Sequence, residues 1–222
     1  MVSQPSRIIL RDDPYHDPSE DTMQFRLTYE GPLLSNGHSR HKHEIRKHFH
    51  IQLKKLWEVT NSLKEMRNPV LDLIEVNRGQ DRSRIEWLAE RFDRLNHNFV
   101  PLVTDDLEVS FCGLNILYLR PGPPGGVRAD IDNRMKTLFD ALRMPSGKEE
   151  LGEYNFPTED EKPFYCLLQD DKFITQLSVE TDTLLEPIGT LWDENDARLI
   201  IGVNLQPRVY RLDLRFRSMN FV

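Results

Sequence analysis

The sequence predicts one α+β domain, a mixed or antiparallel sheet packed with helices. Five stretches alternate apolar and polar residues with period two, and three others carry apolar residues at helical spacing. The two kinds interleave without the regular βαβ rhythm of a doubly wound fold. A chain of 222 residues fits one large domain better than two very small ones.

Residues 1–21 are polar, contain Pro5, Pro14 and Pro18, and read as an irregular N-terminal arm to a domain spanning 22–222. Met23, Phe25, Leu27 and Tyr29 then alternate with polar residues as a half-buried strand, which stops at Gly31-Pro32. Ser35-Asn36-Gly37 continues the loop. Ser39 to about Met66 reads as a long helix, with Ile45, Phe49, Leu53, Leu56 and Leu63 on one stripe and Asn68-Pro69 as its stop. A second helix is expected over about Asp81–Leu95. Leu107, Val109 and Phe111 open another strand. After Gly113 its apolar set moves by one residue, to Leu114, Ile116 and Tyr118, which suggests a β-bulge. The turn-rich run Pro121–Gly126 leads into a helix over Asp130–Leu142, whose stripe is Ile131, Met135, Leu138, Phe139 and Leu142. Residues 145–168 are acidic, lack periodicity and read as an inserted loop; 68–104 is a second insertion. Phe173–Thr181, Leu199–Leu205 and Tyr210–Phe216 complete the strands.

The net charge is −7, from 29 basic and 36 acidic residues, which argues against a generic charge-driven coat on nucleic acid. The charge is unevenly placed. Residues 35–67 hold eight Lys or Arg against three Glu, with five of the seven histidines, whereas 146–171 holds eight acids against two Lys. No apolar run approaches the ~20 residues of a membrane span, and the N-terminus lacks a signal-peptide shape. Two cysteines, Cys112 and Cys166, make neither a disulfide framework nor a thiolate metal site, so a reducing cytoplasm is expected.

The sharpest local feature is Asp130-Ile131-Asp132-Asn133, with Lys136 one helical turn beyond Asp132. Two carboxylates where a loop becomes a helix suit a hard cation such as Mg²⁺, which keeps waters and accepts phosphate oxygens. A lysine alongside would hold the phosphate or stabilise the leaving charge. The same residues equally suit capping, the helix dipole and an ordinary i,i+4 ion pair. Asp170-Asp171, at a strand start, reads alone as a solvated turn; with the first motif it would supply a third carboxylate.

Together these residues resemble the RusA-type Holliday-junction resolvases. The family pattern D-[LI]-D-N-x-x-K, an apolar helix ending D-A-L and a later D-D pair is matched by Asp130–Asn133, Lys136, Asp140-Ala141-Leu142 and Asp170-Asp171. The strand, the Pro32 and Ser35-Asn36 loop and the basic helix are similar to the family's opening. The resemblance implies a RusA-like fold with insertions, a homodimer, and Mg²⁺-dependent (or Mn²⁺-dependent) endonuclease activity on branched DNA, four-way junctions first, in recombination and repair. It implies metal-binding or catalytic roles for Asp130, Asp132 and Asp171, with Asp170 in reserve, and a phosphate-directed role for Lys136. A non-catalytic DNA- or protein-binding member of the fold, its partner held by the acidic insertion, is the rival reading. A nuclease for other nucleic-acid structures is a third.

The basic helix reads as a DNA-contacting face or as a solvated one. On the first reading Arg40, Lys42, Arg46 and Lys47 face phosphates, joined by Arg120 and Arg128 beside the loop before Asp130. The histidines from His38 to His50 include no HExxH and no cysteine partner, so they are expected to be solvated or phosphate-facing rather than metal ligands. There is no P-loop, GxGxxG or GxSxG motif.

Overall fold

Alternation along the first strand does what a half-buried sheet requires. The computed structural model describes residues 23–60, 63, 83–105, 110–122 and 130–207. In it β1 (Met23–Pro32) turns Leu27 and Tyr29 into the core and leaves Gln24, Arg26 and Thr28 exposed. β1 pairs antiparallel with β7 (Asp196–Pro207), from Met23 opposite Leu205 to Pro32 opposite Asp196. β7 pairs antiparallel on its other side with β4 (Ser110–Arg120), and β4 lies parallel to β6 (Ile174–Thr183). The sheet order is thus β1-β7-β4-β6, with Leu199, Ile201 and Val203 of β7 and Leu114, Ile116 and Tyr118 of β4 buried.

A second sheet has the order β2-β3-β5: β2 (Asp93–Arg94) pairs antiparallel with β3 (His97–Val103), which pairs parallel with β5 (Phe164–Leu168). Three α-helices are present among the described residues: α1 (Ser39–Val59), α2 (Arg84–Arg91) and α3 (Ile131–Leu142). α1 starts where the His38 ring accepts from the His41 amide. α2 starts at a reciprocal capping box between Ser83 and Glu86. α1 lies against β5 and α3, so one mixed α/β domain forms around a common core that includes Ile45, Phe49 and Leu53 of α1 and Met135, Leu138 and Leu142 of α3.

Several expectations change. α1 closes at Val59, where Thr60 adopts extended backbone as its C-cap; Leu63 beyond it is helical and buried as expected, and the rest of 61–69 lies outside the described residues. The expected helix over 81–95 is shorter, and its last residues form β2. The inserted segment 145–168 is not a loop throughout, and the 68–104 insertion adds a strand as well as a helix. β3 falls within 68–104, and β5 occupies the end of 145–168, every residue of it buried. The irregularity near Gly113 exists, but its extra residue is on the partner strand. Cys112 pairs with Ile174 and Gly113 with Gln176, leaving Thr175 unmatched, while β4 keeps an unbroken register with β7. Phe111 therefore faces outward rather than joining the core. Phe173 closes a short 3-10 turn, Asp171–Phe173, instead of opening β6. The arm over 1–21, Leu107, Val109 and the strand expected at Tyr210–Phe216 lie outside the described residues. No helix among the described residues is long and apolar enough to cross a membrane. Cys112 and Cys166 are unbridged and buried, and burial pushes both thiols up to about 12.

Candidate active site

The Asp130 pair sits where the sequence motif puts it, at the first turn of α3. Asp130 is the N-cap residue, yet its side chain makes no capping bond to the helix amides. Its carboxylate is turned outward and held from two sides. The Ser35 hydroxyl donates to Oδ2, and the Asn133 amide nitrogen donates to Oδ1 at 2.8 Å and Oδ2 at 3.0 Å. Those donors, Ser35 foremost, then Asn133, then a hydrogen bond with the neighbouring Asp132 carboxyl, hold Asp130 down at about 2. It is therefore an anion across the physiological range. Asp132 and Lys136 are exposed on the same helix, and Ile131 between the two aspartates packs partly against the core.

Ser35 reaches Asp130 because the β1–α1 loop is pinned to α3. Arg134 donates one guanidinium nitrogen to the Leu33 carbonyl and another to Asn195 Oδ1 at 3.2 Å, and it also hydrogen-bonds the buried Tyr118. Leu33 N donates to the Asn195 carbonyl at 2.8 Å, and Gly37 N donates to Thr137 Oγ1 at 2.9 Å. Gly37 has to be glycine here. A Cβ would lie 2.7 Å from His41 Cδ2 and 2.8 Å from Thr137 Cγ2, inside any normal contact. Sequence reasoning names Ser35 and Gly37 only as loop residues and passes over Arg134 and Thr137. Their signal is contact across 95 to 101 positions, which a single sequence does not carry.

The third expected carboxylate sits on another element. Asp171 is exposed and opens the 3-10 turn that packs against α3 and β4. Asp170 is committed as the N-cap of that turn, its Oδ1 accepting from Lys172 N at 3.0 Å. Among the described residues no group of three or more His, Cys, Asp or Glu is gathered to hold a metal ion. The geometry thus brings together Asp130 and Asp132 but does not draw Asp171 into one cluster with them. Two adjacent, solvent-reachable carboxylates, one firmly ionised, still fit a hard cation that completes its shell with water.

On the basic helix, Arg46 is a correction. Arg46, expected to face phosphates, is 1% exposed. Its guanidinium donates from Nε to the Arg143 carbonyl at 2.9 Å and from Nη2 to the Asp140 carbonyl at 2.6 Å, with Nη1 3.1 Å from His43 Nδ1. Both carbonyls lie at the C-terminal end of α3, so Arg46 satisfies peptide oxygens that the helix leaves open and meets the negative end of its dipole. Lys42 pairs with Asp140 at 2.7 Å, Lys47 with Glu161 at 2.7 Å, and Arg40 with Glu44 at 3.1 Å. Arg120 ends β4 half-buried, and Arg128 lies outside the described residues. Three of the five histidines depart from expectation too, while His38 and His48 are exposed. His41, His43 and His50 are buried, and His50 accepts from Tyr165 N at 2.9 Å while its other nitrogen sits 3.1 Å from the Asp160 carbonyl. His43 and His50 tie α1 to the acidic segment and to β5, and His41 accepts from Leu34 N in the β1–α1 loop at 3.3 Å.

In comparisons with known proteins, no family model, no curated protein and no solved structure matches the chain.

Proposed function

We propose that the protein is a Mg²⁺-dependent endonuclease of RusA-like type acting on branched DNA, with the four-way junction as its leading substrate. The observation that carries the reading is the Asp130–Asp132 pair, two neighbouring carboxylates displayed at a helix start, one of them kept ionised by hydrogen bonds. Asp130 and Asp132 would hold the cation. Bound there, Mg²⁺ (or Mn²⁺) supplies an activated water and neutralises charge on the phosphodiester. Lys136, exposed on the same helix, is placed to hold a phosphate oxygen. Asp171 is the better third candidate, since Asp170 is already spent on its turn. A homodimer would set two such sites on one branched substrate and so make paired nicks.

The test is cleavage of junction, flap and duplex DNA by purified protein with Mg²⁺ or Mn²⁺. Asp132→Asn is expected to abolish cutting, at least 100-fold on the order of removing a transition-state charge contact, while circular dichroism and DNA binding stay close to wild type. Intact DNA in every lane with wild-type protein would end the enzyme reading. A non-catalytic binding protein on this architecture is the second reading, and the absence of a three-ligand cluster among the described residues favours it. That reading expects DNA or protein binding indifferent to divalent cations.

A further inference from the structure

The loop between β1 and α1 supplies a hydroxyl to a carboxylate 95 positions away, and the way that carboxylate is loaded is informative. A carboxylate oxygen has two in-plane acceptor positions. Oδ2 of Asp130 accepts twice, from Ser35 Oγ and from Asn133 Nδ2 at 3.0 Å. Oδ1 accepts from the same Asn133 nitrogen at 2.8 Å, and the carboxylate is hydrogen-bonded to Asp132 as well. Oδ2 is therefore filled by donors from two different elements. Asn133 sits on α3 itself, one turn from Asp130, and would travel with it. Ser35 belongs to a different element and fixes the carboxylate plane relative to the rest of the domain.

The loop carrying Ser35 is itself held. Leu33 is tied through both its amide and its carbonyl, to Asn195 and Arg134, and Gly37 is tied to Thr137 with no room for a Cβ. A solvated serine whose hydroxyl merely happened to fall near an aspartate would not need an anchored backbone on both sides.

We propose that Ser35 is a positioning residue for the divalent-cation site, fixing through Oδ2 the orientation in which Asp130 presents its carboxylate. The proposal rests on the reading of Asp130 and Asp132 as cation ligands and adds to it a residue that never touches the cation. Outer partners that orient a ligand typically matter by 10- to 100-fold in metal affinity.

The experiment is calorimetric titration of the full chain with Mn²⁺ and with Mg²⁺, without DNA, alongside the thermal midpoint in EDTA. Ser35→Ala is expected to weaken Mn²⁺ binding by about 10-fold, with the EDTA midpoint close to wild type. Ser35→Thr, which keeps the hydroxyl, is expected to bind within about 3-fold of wild type, since its donor is the one Asp130 uses. Should Ser35→Ala not fold, Ser35→Cys, nearly isosteric with a weak donor, carries the same comparison. Where nuclease activity is present, the loss in Ser35→Ala is expected in the Mn²⁺ concentration for half-maximal rate, with the rate at saturating Mn²⁺ largely restored. Wild-type affinity in Ser35→Ala, or equal losses in Ala and Thr, would overturn the positioning role while leaving the cation site standing. Wild-type protein that takes up no Mn²⁺ would remove the site and this proposal together.

Discussion

Replacing Arg46 by methionine separates the structural role of this side chain from the phosphate-facing role expected of the basic helix. Methionine keeps much of the aliphatic stem and its packing, so the change isolates the guanidinium. Two strong bonds are lost, to the Asp140 and Arg143 carbonyls at 2.6 and 2.9 Å. Hydrogen bonds involving a charged group are worth about 1.5–3 kcal/mol each. Against that stands the relief of a buried charge, since burial pushes the Arg46 guanidinium below its ordinary value. The carbonyls remain buried beside an apolar side chain, and His43 Nδ1 loses its partner as well. The net expectation is a loss of about 3 kcal/mol. For a chain of this size that is a drop of about 6–12 °C in thermal midpoint. Urea unfolding followed by tryptophan fluorescence reads the first number, and a thermal scan reads the second. At temperatures where the variant is folded, its affinity for junction DNA should equal wild type at every salt concentration. A stability loss under about 1 kcal/mol, joined to weakened and less salt-dependent DNA binding, would show that the guanidinium belongs to a phosphate surface after all.

Two acid-side predictions follow from neighbours of that arginine, one half-buried and one buried. Burial raises the Glu150 carboxyl, but Arg143, bonded at 2.9 and 3.0 Å, and Ser146 outweigh it and hold it at about 2, against 4.5 unfolded. Its folded-state value is depressed, so its contribution is complete above about pH 4.5 and lost as pH falls toward 2. Glu150→Gln should remove about 1–2 kcal/mol at pH 7, discounted for solvent screening, and much less near pH 2; equal losses at both pH values would disprove the linkage. Burial first, then Arg46, His97 and Lys47, push the His43 ring down to about 3, so the unfolded chain takes up a proton near 6.5 that the folded one refuses. Stability therefore declines as pH falls from about 6.5 toward 3. His43→Phe, set among Tyr154 and Phe164, should flatten unfolding free energy against pH by about 1 kcal/mol per unit between pH 5.5 and 4, and an unchanged slope in urea titrations would refute it.

Patterning reveals elements that are buried on one side. β1, α1, α3 and β7 are amphipathic because one face meets the core and the other water, and their periods of 2 and 3.6 expose them in the sequence. β3 and β5 have no such contrast. Phe164–Leu168 is buried at all five positions, and His97–Val103 at five of seven, so neither alternates, and the run falls into what reads as insertion. The Asp130–Asp132 pair is legible because its members are two residues apart and share one helix start. Ser35, Arg134 and Gly37 are not, because their roles depend on loop and helix meeting in space. Arg46 is misread for the same reason. Charge on a helix shows in the sequence, but the carbonyls that bury it are 94 and 97 positions away.

The distribution of charge acquires a different meaning once those partners are known. The basic segment and the acidic one are two halves of a fastening. Lys47 meets Glu161, which is itself 6% exposed, and Lys47 also lies 4.6 Å from the Tyr154 ring centre. Arg40 reaches toward Glu153, Lys54 donates to the Asp160 carbonyl at 3.1 Å, and Gly152 packs against the backbone of Arg40. An acidic strap laid along α1 lowers the positive potential of that helix and ties β5, a strand with no amphipathic signal of its own, to the core through His50 and Tyr165. A polyanion approaching α1 would first have to displace interactions that hold the domain together. The Asp130–Asp132 turn stands outside this fastening. Its anchors are Leu33, Asn195, Thr137 and Tyr118 rather than the strap, and Lys136 beside it is exposed with no ion pair among the described residues. Phosphate recognition in the proposed reading therefore centres on α3 and its bound cation instead of a broad basic face. Few released counterions, and a shallow dependence of binding on salt, are the physical consequence of that arrangement.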